Sequence, residues 1–175
     1  DATPDALADV DIQRLEFVNN KGVMPGKDSL YKQALEGITA KYKDLPAAAQ
    51  AWYLLADWYA EKARQYDPQT NPGGRFYFLQ AKAICERVLM QKDTSEGWVH
   101  CKSLLTEITR PALHIEAEKV NVPNQPFRML VNWRNTKQVY FRVIQLGKKE
   151  EELLENYGTY REEFWEQIAQ RPAFR

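Results

Sequence analysis

The feature that most constrains this chain is a change of hydrophobic period at Arg110-Pro111. Before that point apolar residues recur at the three- and four-residue steps of a helix. After it they alternate with polar residues, as on a strand with one buried face. Proline marks the boundary for a physical reason: it lacks an N–H and pushes the preceding residue away from helical angles. Two periods in successive blocks, not interleaved, predict an α+β architecture. The expectation is a set of antiparallel helical hairpins over residues 1–110, then a partial β-sandwich segment with a C-terminal helix over 111–175.

The helical block divides at its turn signals. A first helix is expected over Asp5–Asn19, with Leu7, Val10, Arg14 and Phe17 along one side and Leu15 and Val18 beside them; Asn19-Asn20-Lys21-Gly22 ends it. A second runs over Lys27–Tyr42, carrying Leu30, Ala34 and Ile38 with Leu35 and Tyr42 adjoining, and with Asp28 or Ser29 as its cap. Pro46 opens a third over Ala47–Gln65, and Tyr66 to Gly74 is a loop rich in Pro, Gly and Asn. The fourth and fifth are expected over Phe76–Gln91 and Ser95–Thr109. Past Pro111, alternation marks three strands: Leu113, Ile115 and Ala117; then Phe127, Met129, Val131 and Trp133; then Val139, Phe141 and Val143. Turns at 121–126 and 135–137 predict a three-stranded antiparallel β-meander, with Trp133 and Phe141 on its core face. A last helix, Lys149–Gln170, sets Leu153, Tyr157, Tyr160, Phe164 and Ile168 on one face. Three strands do not close a sandwich, so the sheet reads as unfinished. A start at Asp1 without Met, and an end at Arg175 without a polar tail, fit a piece of a longer, processed chain.

Composition narrows the function. At 44% hydrophobic and 27% charged residues the chain is globular, and Lys plus Arg balance Asp plus Glu at 24 each. A nucleic-acid partner calls for a basic surplus, which is absent. The apolar runs fall short of the roughly 18 residues a membrane span needs. The two histidines, His100 and His114, stand outside any His-Glu-x-x-His or Cys-x-x-Cys pattern, and Cys85, His100 and Cys101 match no zinc spacing. Pro72-Gly73-Gly74-Arg75 lacks the Lys-Ser/Thr of a phosphate loop. Glu150-Glu151-Glu152 and Glu162-Glu163 read as solvated helix faces. No cofactor, metal, catalytic residue or small-molecule substrate is therefore expected. An enzyme reading needs a pocket near His114. Cys85 and Cys101, on neighbouring helices, read as buried thiols acting as small hydrophobes, with a bridge between them geometrically open.

The most specific motif is Ala49-Gln50-Ala51-Trp52-Tyr53-Leu54-Leu55-Ala56-Asp57-Trp58-Tyr59. It resembles the first helix of a tetratricopeptide (TPR) repeat, whose pattern W-x2-L-G-x2-Y falls on Trp52, Leu55, Ala56 and Tyr59. A small residue between bulky ones lets a partner helix nest closely. Ala81, Cys85 and Val88 suit the second helix, Asp93 stands where the repeat often has Pro, and Ser95-Glu96-Gly97-Trp98 echoes Ala49-Gln50-Ala51-Trp52. In a TPR-like stack the concave face would be lined by Gln50, Tyr53, Asp57, Ala60 and Glu61, the candidate partner groove, and its occupant would be a peptide or another domain's tail.

TPR-like helices followed by Pro111 to Glu118, by Val122-Pro123-Asn124-Gln125-Pro126 and by Val139 to Ile144 resemble the N-terminal region of the large alpha-2-macroglobulin-like envelope proteins of Bacteroidetes. The resemblance spans most of residues 28–146. It implies a non-catalytic structural and protein-interaction segment, part of a protease trap or surface-defence protein, exported to the periplasm or cell envelope and lipid-anchored in some members. Its partners would be other domains of the parent chain or a protein. The family's reactive Cys-Gly-Glu-Gln thioester matches neither Ile84-Cys85-Glu86 nor His100-Cys101-Lys102. The alternative is a free-standing TPR-like adaptor that binds a peptide.

Overall fold

Pro4 sets the first helical φ and Thr3 accepts a hydrogen bond from the Ala6 amide at 3.4 Å, so the first helix, α1, begins there and runs Pro4–Lys21. It is the first element of a computed structural model that describes residues 3–43, 45–91, 94–118, 120–122, 125–157 and 162–172. Four more helices follow: α2 (Lys27–Lys41), α3 (Ala48–Arg64), α4 (Tyr77–Leu89) and α5 (Glu96–Thr109). Then come β1 (Ala112–Ala117), β2 (Met129–Arg134), α6 (Lys148–Tyr157) and α7 (Glu162–Ala169). The architecture is mixed α+β: among the described residues it has seven helices and one two-stranded antiparallel sheet. The five helices of the first block lie within about two residues of their expected bounds, the ordinary margin of helix ends.

By packing the chain forms two compact units, which meet in sequence at Asn135–Thr136. In the first unit α3 is the hub, touching α1, α2, α4 and α5, while α4 and α5 pack on each other. Its core is made of small side chains: Ala49, Ala56, Ala60, Ala81, Cys85, Val88 and Cys101 are each at most 2% exposed, and Leu104 and Ile108 join them. Small residues bring backbones together, and Gly97 is the extreme case. A Cβ there would sit 2.3 Å from the Ala49 carbonyl carbon and the Gln50 nitrogen. Trp52, Tyr53, Tyr59 and Trp98 pack around this core half-buried, and the Arg87 guanidinium lies 4.4 Å over the Trp52 ring.

Three details differ from the expectation. On α1 the packed side is Ala8 and Ile12, whereas Leu7, Val10, Phe17 and Val18 are exposed; volume chose the small side chain for the close contact. On α2 Leu35 is buried as expected, as is Tyr42 just past its end, but Thr39 joins them and Leu30 is exposed. Neither Asp28 nor Ser29 caps α2. Gly26 takes the cap position at φ 68°, a left-handed angle that suits glycine. Asp28 is used elsewhere, accepting from the Trp58 indole at 3.0 Å and pairing with Lys62 at 3.0 Å, which ties α2 to α3. The expected loop at 66–74 forms around Asp67, whose carboxylate accepts from the Gln69 and Thr70 amides at 2.8 and 2.7 Å.

The β-block is smaller than expected. β1 and β2 pair in the register that alternation requires, with Leu113 opposite Trp133, Ile115 opposite Val131 and Ala117 opposite Met129. No third strand forms: residues 138–147 hold no strand, and Tyr140, Phe141 and Val143 are exposed. Asn135 gives the reason. At φ 55° it turns the chain, and its amide donates to the carbonyls of Ile108 (2.6 Å) and Arg110 (3.1 Å) on α5. That turn anchors the ribbon to the helices and is not a hairpin returning the chain onto β2. Trp133 and Phe141, expected in the sheet core, are 60% and 54% exposed. The expected turn residues Pro123 and Asn124, like Asp93 and Tyr160, lie outside the described residues.

In the second unit the described residues form two helical stretches, α6 and α7, within the span expected for one helix; residues 158–161 lie outside the described ones. Glu150 caps the start of α6, accepting from the Gly147 amide at 2.7 Å, and is bound by both guanidinium nitrogens of Arg171, one of them at 2.9 Å. Arg171 first, and then the Gly147 amide, hold the Glu150 carboxyl below its ordinary value. Ile168 is buried, while Leu153 is exposed.

Candidate partner groove

The stripe Gln50, Tyr53, Asp57, Ala60 and Glu61 lies on α3, at helical steps that put most of it on one side. Gln50, Tyr53 and Asp57 are half-buried, Ala60 is fully buried, and Glu61 is exposed. Ala60 therefore belongs to the α3–α4–α5 core and not to an open groove; its methyl is the size that the helix contact accommodates. Glu61 is engaged by Arg64, which also reaches Glu107 of α5 at 2.7 Å.

Gln50 is the member that lines a cleft, one of about 480 Å³ shared with Asp9, Gln13 and Glu16 of α1 and Glu96 and Gly97 of α5. Its Oε1 is buried and has no hydrogen-bond partner among the described residues. One turn further on, the Tyr53 ring meets the His100 ring at 4.7 Å, tilted by 46°. His100 lies one turn beyond Glu96 on α5, with 3.8 Å between its Nε2 and the Glu96 carboxylate, and its Nδ1 is another buried atom without a partner among the described residues.

The electrostatics follow from burial beside carboxylates. Burial is the main cause lifting the Tyr31 hydroxyl to about 12, with Glu16, Asp57 and Tyr53 adding to it. Tyr53 is raised for the same reasons, by burial first and then by Asp57. Asp57 is itself pushed up by burial, then by Glu61 and Glu107, with Arg64 opposing. A carboxyl raised in the folded state costs stability where it is ionised; that cost fades as pH falls through the raised value and is gone below the ordinary carboxylate value. Asp57→Asn is thus expected to unfold at a higher temperature than the parent near pH 7, the gap closing towards about pH 3. Melts across that range check it; a gap that widens in acid would contradict the assignment.

The expected stripe on α3 did not include Asp9, Gln13 and Glu16 of α1, Tyr31 of α2, or Glu96 and His100 of α5, which surround it here. A signal for Glu96 was present. The echo of Ala49-Gln50-Ala51-Trp52 in Ser95-Glu96-Gly97-Trp98 sets Glu96 level with Gln50, and both line the cleft. His114 sits exposed on β1, 2.9 Å from the exposed Glu116 carboxylate, and does not line this cleft. Among the described residues no group of three or more His, Cys, Asp or Glu is placed to hold a metal ion, and no helix is long and apolar enough to cross a membrane. The chain matches no family model, no curated protein and no solved structure.

Proposed function

We propose that this chain is a non-catalytic structural and protein-interaction segment of a large alpha-2-macroglobulin-like protein of the periplasm or cell envelope. In that reading its helices are a TPR-like stack and its ribbon is the start of a macroglobulin-type β-domain. The observation that carries it is the ribbon. Leu113, Ile115, Met129 and Trp133, on one face of the paired strands, are all 41% or more exposed. A lone two-stranded ribbon is marginal in water, and an uncovered apolar face on unpaired edges is ordinarily completed by further strands. The alternative, a TPR-like adaptor that holds a peptide, draws on the cleft between α1, α3 and α5 and on the buried, unpartnered Gln50 Oε1.

One hydrogen-exchange experiment separates the two, run on this chain and on the full-length product of its gene. The interaction-segment reading expects β1 and β2 to exchange readily in this chain and to gain protection of about a hundredfold or more in the full-length product. Unchanged exchange of the ribbon would overturn it. Protection that appears instead on α1, α3 and the start of α5 when peptides are added, and that Tyr53→Ala and Asp57→Ala abolish, would establish the adaptor.

A further inference from the structure

Cys85 sits in the middle of α4 and Cys101 in the middle of α5, and both are 0% exposed. They belong to the same core cluster, on two helices that pack directly on each other. Each thiol is the first influence on the other's titration, which sets the two near each other within that cluster. They stand in a core otherwise built from Ala, Val, Leu and Ile. As hydrophobes they fill small volumes, a task that alanine performs at the other close contacts of the same helices. What alanine cannot supply is a covalent link.

We propose that Cys85 and Cys101 form an intramolecular disulfide that clamps α4 to α5 when the chain folds in the presence of a disulfide donor. The inference rests on the packing of the two helices and is independent of the proposed function. The reaction is thiol–disulfide exchange with a small-molecule disulfide or a disulfide-bonded oxidoreductase. The thiolate of one cysteine attacks a donor sulfur, forming a mixed disulfide and expelling one donor thiolate. The second cysteine, as thiolate, then attacks the sulfur of the first and expels the other donor thiolate. Two protein thiols lose two protons and two electrons, and the donor disulfide is reduced to two thiols. Contact with Cys101 holds the Cys85 thiol below its ordinary value, against burial and the neighbouring carboxylates, whereas that contact and burial push Cys101 well up. Burial gives the process a direction: oxidation proceeds while the chain folds or opens, and the closed core then shields the bond from reductants.

The clamp closes a loop of some 16 residues, which constrains the unfolded chain, and the folding midpoint should rise by about 6–12 °C. The test is refolding from denaturant in oxidised and reduced glutathione, compared with refolding in dithiothreitol. In the glutathione sample the thiol count on unfolded protein should fall to zero, the mass should drop by the two thiol hydrogens, and the helical circular dichroism should be unchanged. Cys85→Ala and Cys101→Ala should each keep one thiol and show no gain in midpoint on oxidation. Three outcomes overturn the proposal: both thiols remaining, glutathione adducts in place of the bridge, or a bridged chain that has lost its helical signal. Since the dithiothreitol sample reports folding without the bond, a failure to fold is not mistaken for a failure to bridge.

Discussion

Gly97→Ala is expected to destabilise the helical unit by about 3 kcal/mol, lowering its midpoint by about 6–12 °C. The sign makes this a sharp test. By helix propensity alone, glycine to alanine inside a helix gains about 0.5–1 kcal/mol. Gly97 lies in the first turn of α5 and is buried against the start of α3. An added Cβ would stand 2.3 Å from both the Ala49 carbonyl carbon and the Gln50 nitrogen, and 2.6 Å from the Ala49 oxygen. These are backbone atoms of a helix, so no rotamer change relieves the clash, and α5 must move off α3. The control is Gly37→Ala on α2, where nothing lies within 4 Å of the added carbon and the residue is exposed. That variant should be stabilised by about 0.5–1 kcal/mol. Thermal and urea unfolding followed by circular dichroism measures both, and a Gly97→Ala chain as stable as Gly37→Ala would mean that the helices do not approach so closely.

Gly97 also shows where sequence reading stopped. The echo Ser95-Glu96-Gly97-Trp98 announced a helix start and related α5 to α3. A glycine in a helical pattern, however, signals weakness or a close approach, and only the neighbour decides which. The helices themselves were legible because their 3.6-residue period, caps and loops agree with one another. Which face of α1 is buried was not. Leu7, Val10 and Phe17 outweigh Ala8 in any hydrophobicity pattern, yet Ala8 is 0% exposed and they are 40% or more. Where helices meet through alanines, the pattern of large apolar residues describes the outside of the contact.

The strands divide in the same way. Alternation fixed the faces of β1 and β2 to the correct residue pairs, because a one-residue slip would invert them. Residues 139–143 alternate equally well but form no strand, since a strand exists only with a neighbour to bond to. Of the candidate groove, α3 was legible through the Trp52–Tyr59 motif, but a cleft is made by several helices. The carboxylates of α1 that face Gln50 carry no local mark that distinguishes them from any solvated acid.

Leu104→Ala is the second large effect, at about 4 kcal/mol and a fall in midpoint of about 8–16 °C. Leucine-to-alanine changes in cores range over about 2–5 kcal/mol, according to how far the surroundings collapse into the void. Leu104 is 4% exposed in a cluster whose other buried members are mainly Ala, Cys and Val, with little reach across a gap, while larger side chains such as Trp52 and Trp98 pack around it from the rim. The helices cannot close it either, because α3 and α5 are already at backbone contact beside Gly97. The void should persist, and the urea midpoint should fall without a change in slope. Leu130→Ala on β2, 56% exposed, is the matched control and should change stability by less than about 0.5 kcal/mol. The two core predictions are also coupled. If Gly97→Ala drives α5 away from α3, Leu104 has already lost part of its packing, and the double variant should cost less than the sum by about 1 kcal/mol or more. Strict additivity would mean that the glycine contact and the leucine contact hold α5 independently, and that the close approach at Gly97 does not set the spacing of the core.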